Sequence, residues 1–177
     1  SIGWDSLDAT RLDNFPSGQV RAESVTALGI SQSPANVLYY GTSYGNVFRV
    51  DNADAEEIFV TDITGSNLPN GYVASIAVDP DNDKNVFVAY SNYNILSLFH
   101  SADGGITWEA VSGNLEEEAT GKGAGPATLW IEILKINEGK LYLLGTSTGL
   151  FSSAYINGMN TVWTQESPDL IGNSVID

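Results

Sequence analysis

The sequence predicts an all-β fold assembled from repeated units of four short antiparallel strands. Three observations carry this. Val, Ile, Tyr and Trp recur within a 42% hydrophobic composition, Gly is abundant, and no long stretch shows helical periodicity. Short apolar runs alternate with turns rich in Gly, Pro, Asn and Asp along the whole chain. The chain also resembles itself at a period of about 50 residues, the mark of a repeat architecture.

The first strands of the repeats align best. Val25, Leu28 and Ile30 match Val73, Ile76 and Val78 at an offset of 48. A Pro-containing turn follows each: Ser33-Pro34-Ala35-Asn36 in one, Asp79-Pro80-Asp81-Asn82 in the other. Second strands come next, over 37–41 and 86–90. A third copy runs from Trp130-Ile131-Glu132-Ile133 through the turn Asn137-Glu138-Gly139-Lys140 to a second strand over 141–145. Gly41-Thr42-Ser43-Tyr44-Gly45 and Gly145-Thr146-Ser147-Thr148-Gly149 are nearly one phrase, 104 residues apart. Fourth strands precede Gly65-Ser66-Asn67-Leu68 and Gly113-Asn114-Leu115. Trp4, Trp108 and Trp163 each head such a strand, and Val60 takes that place in one repeat. The middle copy serves as the example, with strands over 73–79, 86–90, 95–100 and 107–112.

Four strands in about 50 residues is the scale of a β-propeller blade. The expectation is three complete blades, over 24–70, 71–126 and 127–173, with 1–23 as the outer strand and linker of a preceding blade. Ser174-Val175-Ile176-Asp177 aligns with Ser24-Val25-Thr26-Ala27, so the last residues are expected to open a further first strand. Three blades leave sheet faces and edges open. The chain is therefore expected to be a segment of a longer propeller, or a subunit whose ring is closed by the rest of the propeller or by a second copy.

The stretch Ser101-Ala102-Asp103-Gly104-Gly105-Ile106-Thr107-Trp108 is the sharpest local signal. Asp103 suits a turn in which its carboxylate accepts backbone N–H groups, Gly104 and Gly105 tolerate positive φ, and Trp108 anchors the next strand. These residues resemble the Asp-box, or BNR repeat, of sialidase-like, xyloglucanase-like and sortilin-like β-propellers. The match is complete at Ser101, Asp103, Gly105, Thr107 and Trp108. In that family the box joins the third and fourth strands of a blade, is structural, and lies away from the ligand face. The equivalent stretches 50–57 and 153–160 depart from the motif.

Charge bounds the partners. With 22 acidic and 7 basic residues the net charge is −15, a surface that repels phosphate backbones, so no nucleic acid is expected. No apolar run approaches the roughly 20 residues of a membrane-spanning helix. There is no cysteine, which excludes disulfides and thiol chemistry. One histidine, His100, cannot build a triad or a zinc site alone, and no cofactor or metal is expected. The oxygens of Asp79-Pro80-Asp81-Asn82-Asp83 would suit calcium, but an Asp-rich turn is the better reading.

The resemblance places ligands on the face carrying the loops between second and third strands and the loops between blades. Those are 42–45, 91–94 and 147–149, with 67–71, 116–126 and 168–173. Tyr44, Tyr93 and Trp130 are candidate sugar platforms there, with Tyr72 beside them, and Glu116, Glu117 and Asp169 are candidate polar groups. The acidic run 116–118 reads first as a solvated excursion. A sialidase needs a cluster of three arginines, and Arg11, Arg21 and Arg49 do not supply one. No catalytic residue is assigned, and any catalytic pair would lie outside the chain. The resemblance implies a secreted or cell-surface, glycoside-hydrolase-like protein that binds or hydrolyses carbohydrate, with this segment mainly scaffold. The alternative is a non-catalytic propeller that binds a protein or serves as a structural module.

Overall fold

The computed structural model describes Thr10, residues 23–169 and residues 171–176. They form three four-stranded antiparallel sheets, each a meander in chain order. The first holds β1 (Val25–Ile30), β2 (Leu38–Thr42), β3 (Val47–Asp51) and β4 (Phe59–Asp62). The second holds β5 (Val73–Asp79), β6 (Asn82–Tyr90), β7 (Leu98–Ser101) and β8 (Glu109–Ala110). The third holds β9 (Thr128–Ile136), β10 (Gly139–Thr146), β11 (Gly149–Ser153) and β12 (Thr164–Gln165). The expected preceding strand headed by Trp4 lies outside the described residues.

The repeat alignment survives at residue level. Leu28 pairs with Tyr40 and Ile76 with Val88, which puts Leu28 and Ile76 at the same place in their sheets. Several boundaries move for local reasons. β6 begins at Asn82 rather than Val86, because Asp79 pairs with Asn82 across the two-residue turn Pro80-Asp81. The Asp79 carboxylate accepts the Asp81 N–H at 2.9 Å, so the turn is capped from within. β10 begins at Gly139, since Ile136 pairs with Gly139 across a similarly tight turn. β8 and β12 are only two residues long, and such short outer strands leave little free edge.

The three sheets lie face on face, and each interface is one apolar layer. The face a sheet turns to its successor is its forward face, and the opposite one its back face. In the first layer Ala27, Tyr39, Val47 and Ile63 of the first sheet meet Val73, Ile76, Val88 and Trp108 of the second. In the second layer Ala77, Phe87, Leu98 and Val111 meet Ile131, Ile133, Leu144 and Trp163. The contact is closest between first strands, β1 on β5 and β5 on β9. Small residues allow it: a Cβ on Gly29 would lie 2.8 Å from Ile76 Cγ2, and one on Gly41 would lie 2.3 Å from Val73 Cγ1.

Ion pairs brace the same interfaces. Arg49 on β3 bonds Asp51 on its own strand at 2.7 Å and Asp83 on β6 at 2.7 Å. The Tyr39 hydroxyl takes a further Arg49 bond and donates to the Asp83 carbonyl at 2.8 Å. Burial pushes Tyr39 up to about 12, with the Arg49 guanidinium opposing. Lys140 on β10 pairs with the fully buried Asp79, and Lys135 with Asp81 at 2.9 Å. Burial alone would raise the Asp79 pKa, but Lys140, the Asp81 N–H and Asn85 together hold it below the ordinary carboxylate range. The oxygens considered for calcium are thus bonded to two lysines, Arg49, the Asn85 amide and backbone N–H groups.

Candidate functional site

A four-strand meander puts its second-to-third-strand loop at the same end as the link to the next sheet. The turns between first and second strands and between third and fourth strands share the opposite end. The box occupies that opposite end, between β7 and β8. Ser101 Oγ donates to Asp103 Oδ1 at 2.8 Å and accepts the Gly105 N–H at 2.8 Å. Asp103 accepts the Thr107 N–H at 2.9 Å and the Thr107 hydroxyl at 2.6 Å. These bonds, led by the Thr107 hydroxyl, hold the Asp103 carboxyl down to about 2. Gly104 and Gly105 sit at φ of 79° and 94°, where only glycine is comfortable. A Cβ on Gly105 would lie 2.4 Å from Ile63 Cδ1, so the turn also packs on the first sheet. All five motif residues therefore act on the turn and its packing.

The tryptophan after the box reaches back one sheet. Trp108 Nε1 donates to the Ile63 carbonyl at 2.7 Å, and Trp163 Nε1 donates to the Val111 carbonyl at 2.9 Å. Ile63 and Val111 each follow the fourth strand of their sheet, and their N–H groups bond Val47 and Leu98 in the same way. An asparagine finishes the clamp. Asn67 Nδ2 donates to the Trp108 carbonyl at 3.3 Å. Asn114 makes two bonds to Trp163, Oδ1 taking its N–H at 2.6 Å and Nδ2 reaching its carbonyl at 2.9 Å. Sequence reading notes the recurrence of Asn-Leu at 67–68 and 114–115 but misses this role, because the partners are backbone groups of another repeat.

The other two turns of this type are built differently. In the third sheet Thr161 Oγ1 takes the Asn157 N–H at 2.9 Å and donates to the Gly158 carbonyl at 2.8 Å. The staple is gone while the tryptophan is kept. In the first sheet Asn52 enters positive φ and its carbonyl accepts the Ala55 N–H at 2.9 Å.

The loop end carries the ligand-face candidates, and neighbouring loops there are tied together. The Tyr90 hydroxyl donates to the Gly45 carbonyl at 3.1 Å, joining the first sheet's loop to the second sheet. A Cβ on Gly45 would lie 2.6 Å from the Pro69 carbonyl, so the 42–46 turn rests on the 67–71 link. The Tyr72 N–H donates to Asn92 Oδ1 at 2.5 Å. Tyr44, Tyr72 and Tyr93 stand exposed on these loops, Tyr93 at 60%.

The acidic loop is folded onto the sheet rather than solvated throughout. Glu116 accepts the Ser97 N–H at 3.0 Å and the Ser97 hydroxyl at 2.6 Å. Glu117 accepts the Ala124 N–H at 2.7 Å, and Gly121 is wedged against the backbone of Ile95 and Leu96. Glu117 and Glu118 stay exposed, and the Glu118 side chain bonds only Thr120, within the loop. Asp169 is exposed in the link after β12. Trp130 is not on a loop: it pairs with Gly145 and lies on the forward face of the third sheet. The structure thus brings Tyr44, Tyr72 and Tyr93 to one end, uses Glu116 and Glu117 as loop ties, and sets Trp130 apart. Arg49 is spent between sheets; Arg11 and Arg21 lie outside the described residues.

No family model matches the chain, and no curated protein matches it. Among solved structures it is similar to the GH74 enzyme of Niastella koreensis. The likeness covers 81% of this chain and 22% of that one, with a TM-score of 0.52 and 20% identity. The chain therefore spans about a fifth of the length of that enzyme, and the likeness is one of fold. The computationally designed Ika4 protein also matches, over 81% of this chain and 72% of its own, with a TM-score of 0.46 and 13% identity. Among the described residues no helix is long and apolar enough to cross a membrane.

Proposed function

We propose that the three sheets are blades of an Asp-box β-propeller of the glycoside-hydrolase kind, and that its loop end binds carbohydrate. The observation that carries this is the division of labour between the two ends. One end is closed by the Ser101–Asp103–Thr107 staple and committed to packing. The other displays Tyr44, Tyr72 and Tyr93 on loops that are cross-tied into one surface. Exposed aromatic rings on a fixed backbone stack on sugars at little cost in side-chain entropy. The fold likeness to a GH74 enzyme, a glycoside hydrolase, supports the same reading.

The segment supplies scaffold and part of the ligand face of a longer ring. A hydrolytic pair would need two carboxylates about 5 to 9.5 Å apart across the scissile bond. Glu116 and Glu117 work as loop ties, which supports reading this segment as one that does not itself supply such a pair. Its carbohydrate reading carries with it a secreted or cell-surface setting, where polymeric sugars are met.

Affinity electrophoresis tests the proposal, with xyloglucan, mixed-linkage β-glucan and a sialylated glycoprotein as the immobilised polymers. Retardation by a β-glucan that Tyr93→Ala abolishes is expected. Unchanged mobility on all three polymers, or retardation indifferent to Tyr93→Ala, would refute the carbohydrate reading and favour the protein-binding alternative.

A further inference from the structure

The two observed interfaces follow one packing rule on the first strands. The successor sheet offers two aliphatic side chains from its back face, and the predecessor receives them on two small residues of its forward face. Ile76 and Val78 rest on Ala27 and Gly29. Ile131 and Ile133 rest on Ser75 and Ala77, with the Ile131 N–H bonded to Ser75 Oγ at 3.3 Å. Strand register fixes the equivalent positions without ambiguity. Ala27, Ser75 and Trp130 pair with Gly41, Ala89 and Gly145. Gly29, Ala77 and Glu132 pair with Tyr39, Phe87 and Leu143. The third sheet therefore carries Trp130 and Glu132 where the other two carry small residues.

This forward face is otherwise shaped like the two that are covered. Ile176 lies against Gly145 as Val73 lies against Gly41, and its N–H donates to the Thr146 carbonyl at 3.0 Å. The tail is thus seated where a neighbouring first strand begins, one residue on from its place in the sequence alignment. Towards the outer strands a cavity of about 520 Å³ opens between Leu141, Ser152, Tyr155, Val162 and Glu166. At the first interface the corresponding zone is filled by the Arg49–Asp83 pair. Glu166 stands at the place of Ile63 and Val111, its N–H bonding Leu150 as theirs bond Val47 and Leu98.

We infer that the forward face of the third sheet takes a four-stranded sheet of this same repeat kind whose first strand presents small residues opposite Trp130 and Glu132, and that it rejects a second copy of this chain. The copy would offer Leu28 and Ile30, which are 62% and 68% exposed on the back face of the first sheet. Large would meet large, and sheets could not approach to the spacing that the other two interfaces reach. Trp130 and Glu132 thus set which sheet follows. The inference rests on the propeller reading only for there being a further sheet, and its test uses no sugar.

Sedimentation velocity across a concentration series up to the millimolar range decides it, on the whole chain. Wild type is expected to remain at 18.9 kDa. Leu28→Ala/Ile30→Ala makes the copy's first strand small, and it is expected to self-associate at least about tenfold more tightly than wild type, despite having lost exposed apolar surface. Trp130→Ala/Glu132→Ala opens the receiving face to Leu28 and Ile30, and is expected to associate independently of the first variant. Adding Leu141→Lys should abolish both associations, placing them on this face. General stickiness of exposed side chains makes the opposite forecast for the first variant. Head-to-tail dimers of wild type, or monomers for both variants, would overturn the inference.

Discussion

Replacing Trp108 by phenylalanine isolates the clamp between the first and second sheets. Trp108 is 5% exposed and its indole N–H is held by the Ile63 carbonyl at 2.7 Å. Phenylalanine keeps one aromatic ring and removes the donor. The Ile63 carbonyl, buried under the second sheet, then lacks its partner, which costs about 1–3 kcal/mol. The missing second ring leaves unfilled volume worth about 1 kcal/mol more. The sum, about 2–4 kcal/mol, is a large share of the roughly 5–15 kcal/mol that holds a domain together. Guanidinium denaturation followed by far-UV circular dichroism reads it as a fall in the midpoint at unchanged slope. Trp130→Phe, on a half-exposed ring outside either core cluster, is the control and should change stability by less than about 0.5 kcal/mol. A Trp108→Phe loss no larger than that control would refute the clamp. So would an equal loss in a background where Asn67→Ala has already loosened the same tryptophan, if the two losses simply add.

Two further outcomes follow from the polar groups. The Asp103 pKa is about 2 in the folded box, below the ordinary value of about 3.9, so its contribution is fully present above pH 4 and is lost as pH falls towards 2. The stability gap between wild type and Asp103→Asn should therefore be widest at pH 5 and above and shrink towards pH 2; a gap that is flat across this range would contradict the ionised staple. Arg49→Met leaves the nearly buried Asp83 without its partner and should cost about 3–5 kcal/mol, whereas Arg49→Lys, which keeps charge but not the fork that also reaches Asp51 and Tyr39, should cost less. Equal midpoints for the two variants in thermal unfolding would show that the guanidinium acts by bulk rather than by charge.

Sequence pattern reveals the sheets because the side chains of each strand alternate between two faces, at least one of which packs in an apolar layer. Val25, Leu28 and Ile30 could be matched to Val73, Ile76 and Val78 from residue type alone, and the register bears the match out. Strand ends were harder. β6 gains four residues because Asp79 caps its own turn, an event set by one carboxylate and one N–H. β8 loses residues at its start to the box, whose staple holds Thr107 out of the ladder. The acidic run 116–118 reads as a wet loop because charge dominates its composition, yet Glu116 finds its donors on Ser97, 19 residues back in the chain. The jobs of Asn67 and Asn114 depend on carbonyl and N–H groups, which every residue has and no alphabet of side chains records. The swap of small residues for Trp130 and Glu132 lies open in the sequence, but only register shows that these positions correspond.

The tryptophan clamps also have a direction in time. Each indole belongs to the later repeat and each receiving carbonyl to the earlier one, 45 residues upstream for Trp108 and 52 for Trp163. Asn67 and Asn114 likewise precede the tryptophans they hold. On a ribosome the receiving half of both clamps is therefore synthesised before the tryptophan that docks into it. A newly emerging repeat thus meets a template already made, and its tryptophan closes the joint. The two clamps therefore close in the order in which the chain is made, each by the later repeat.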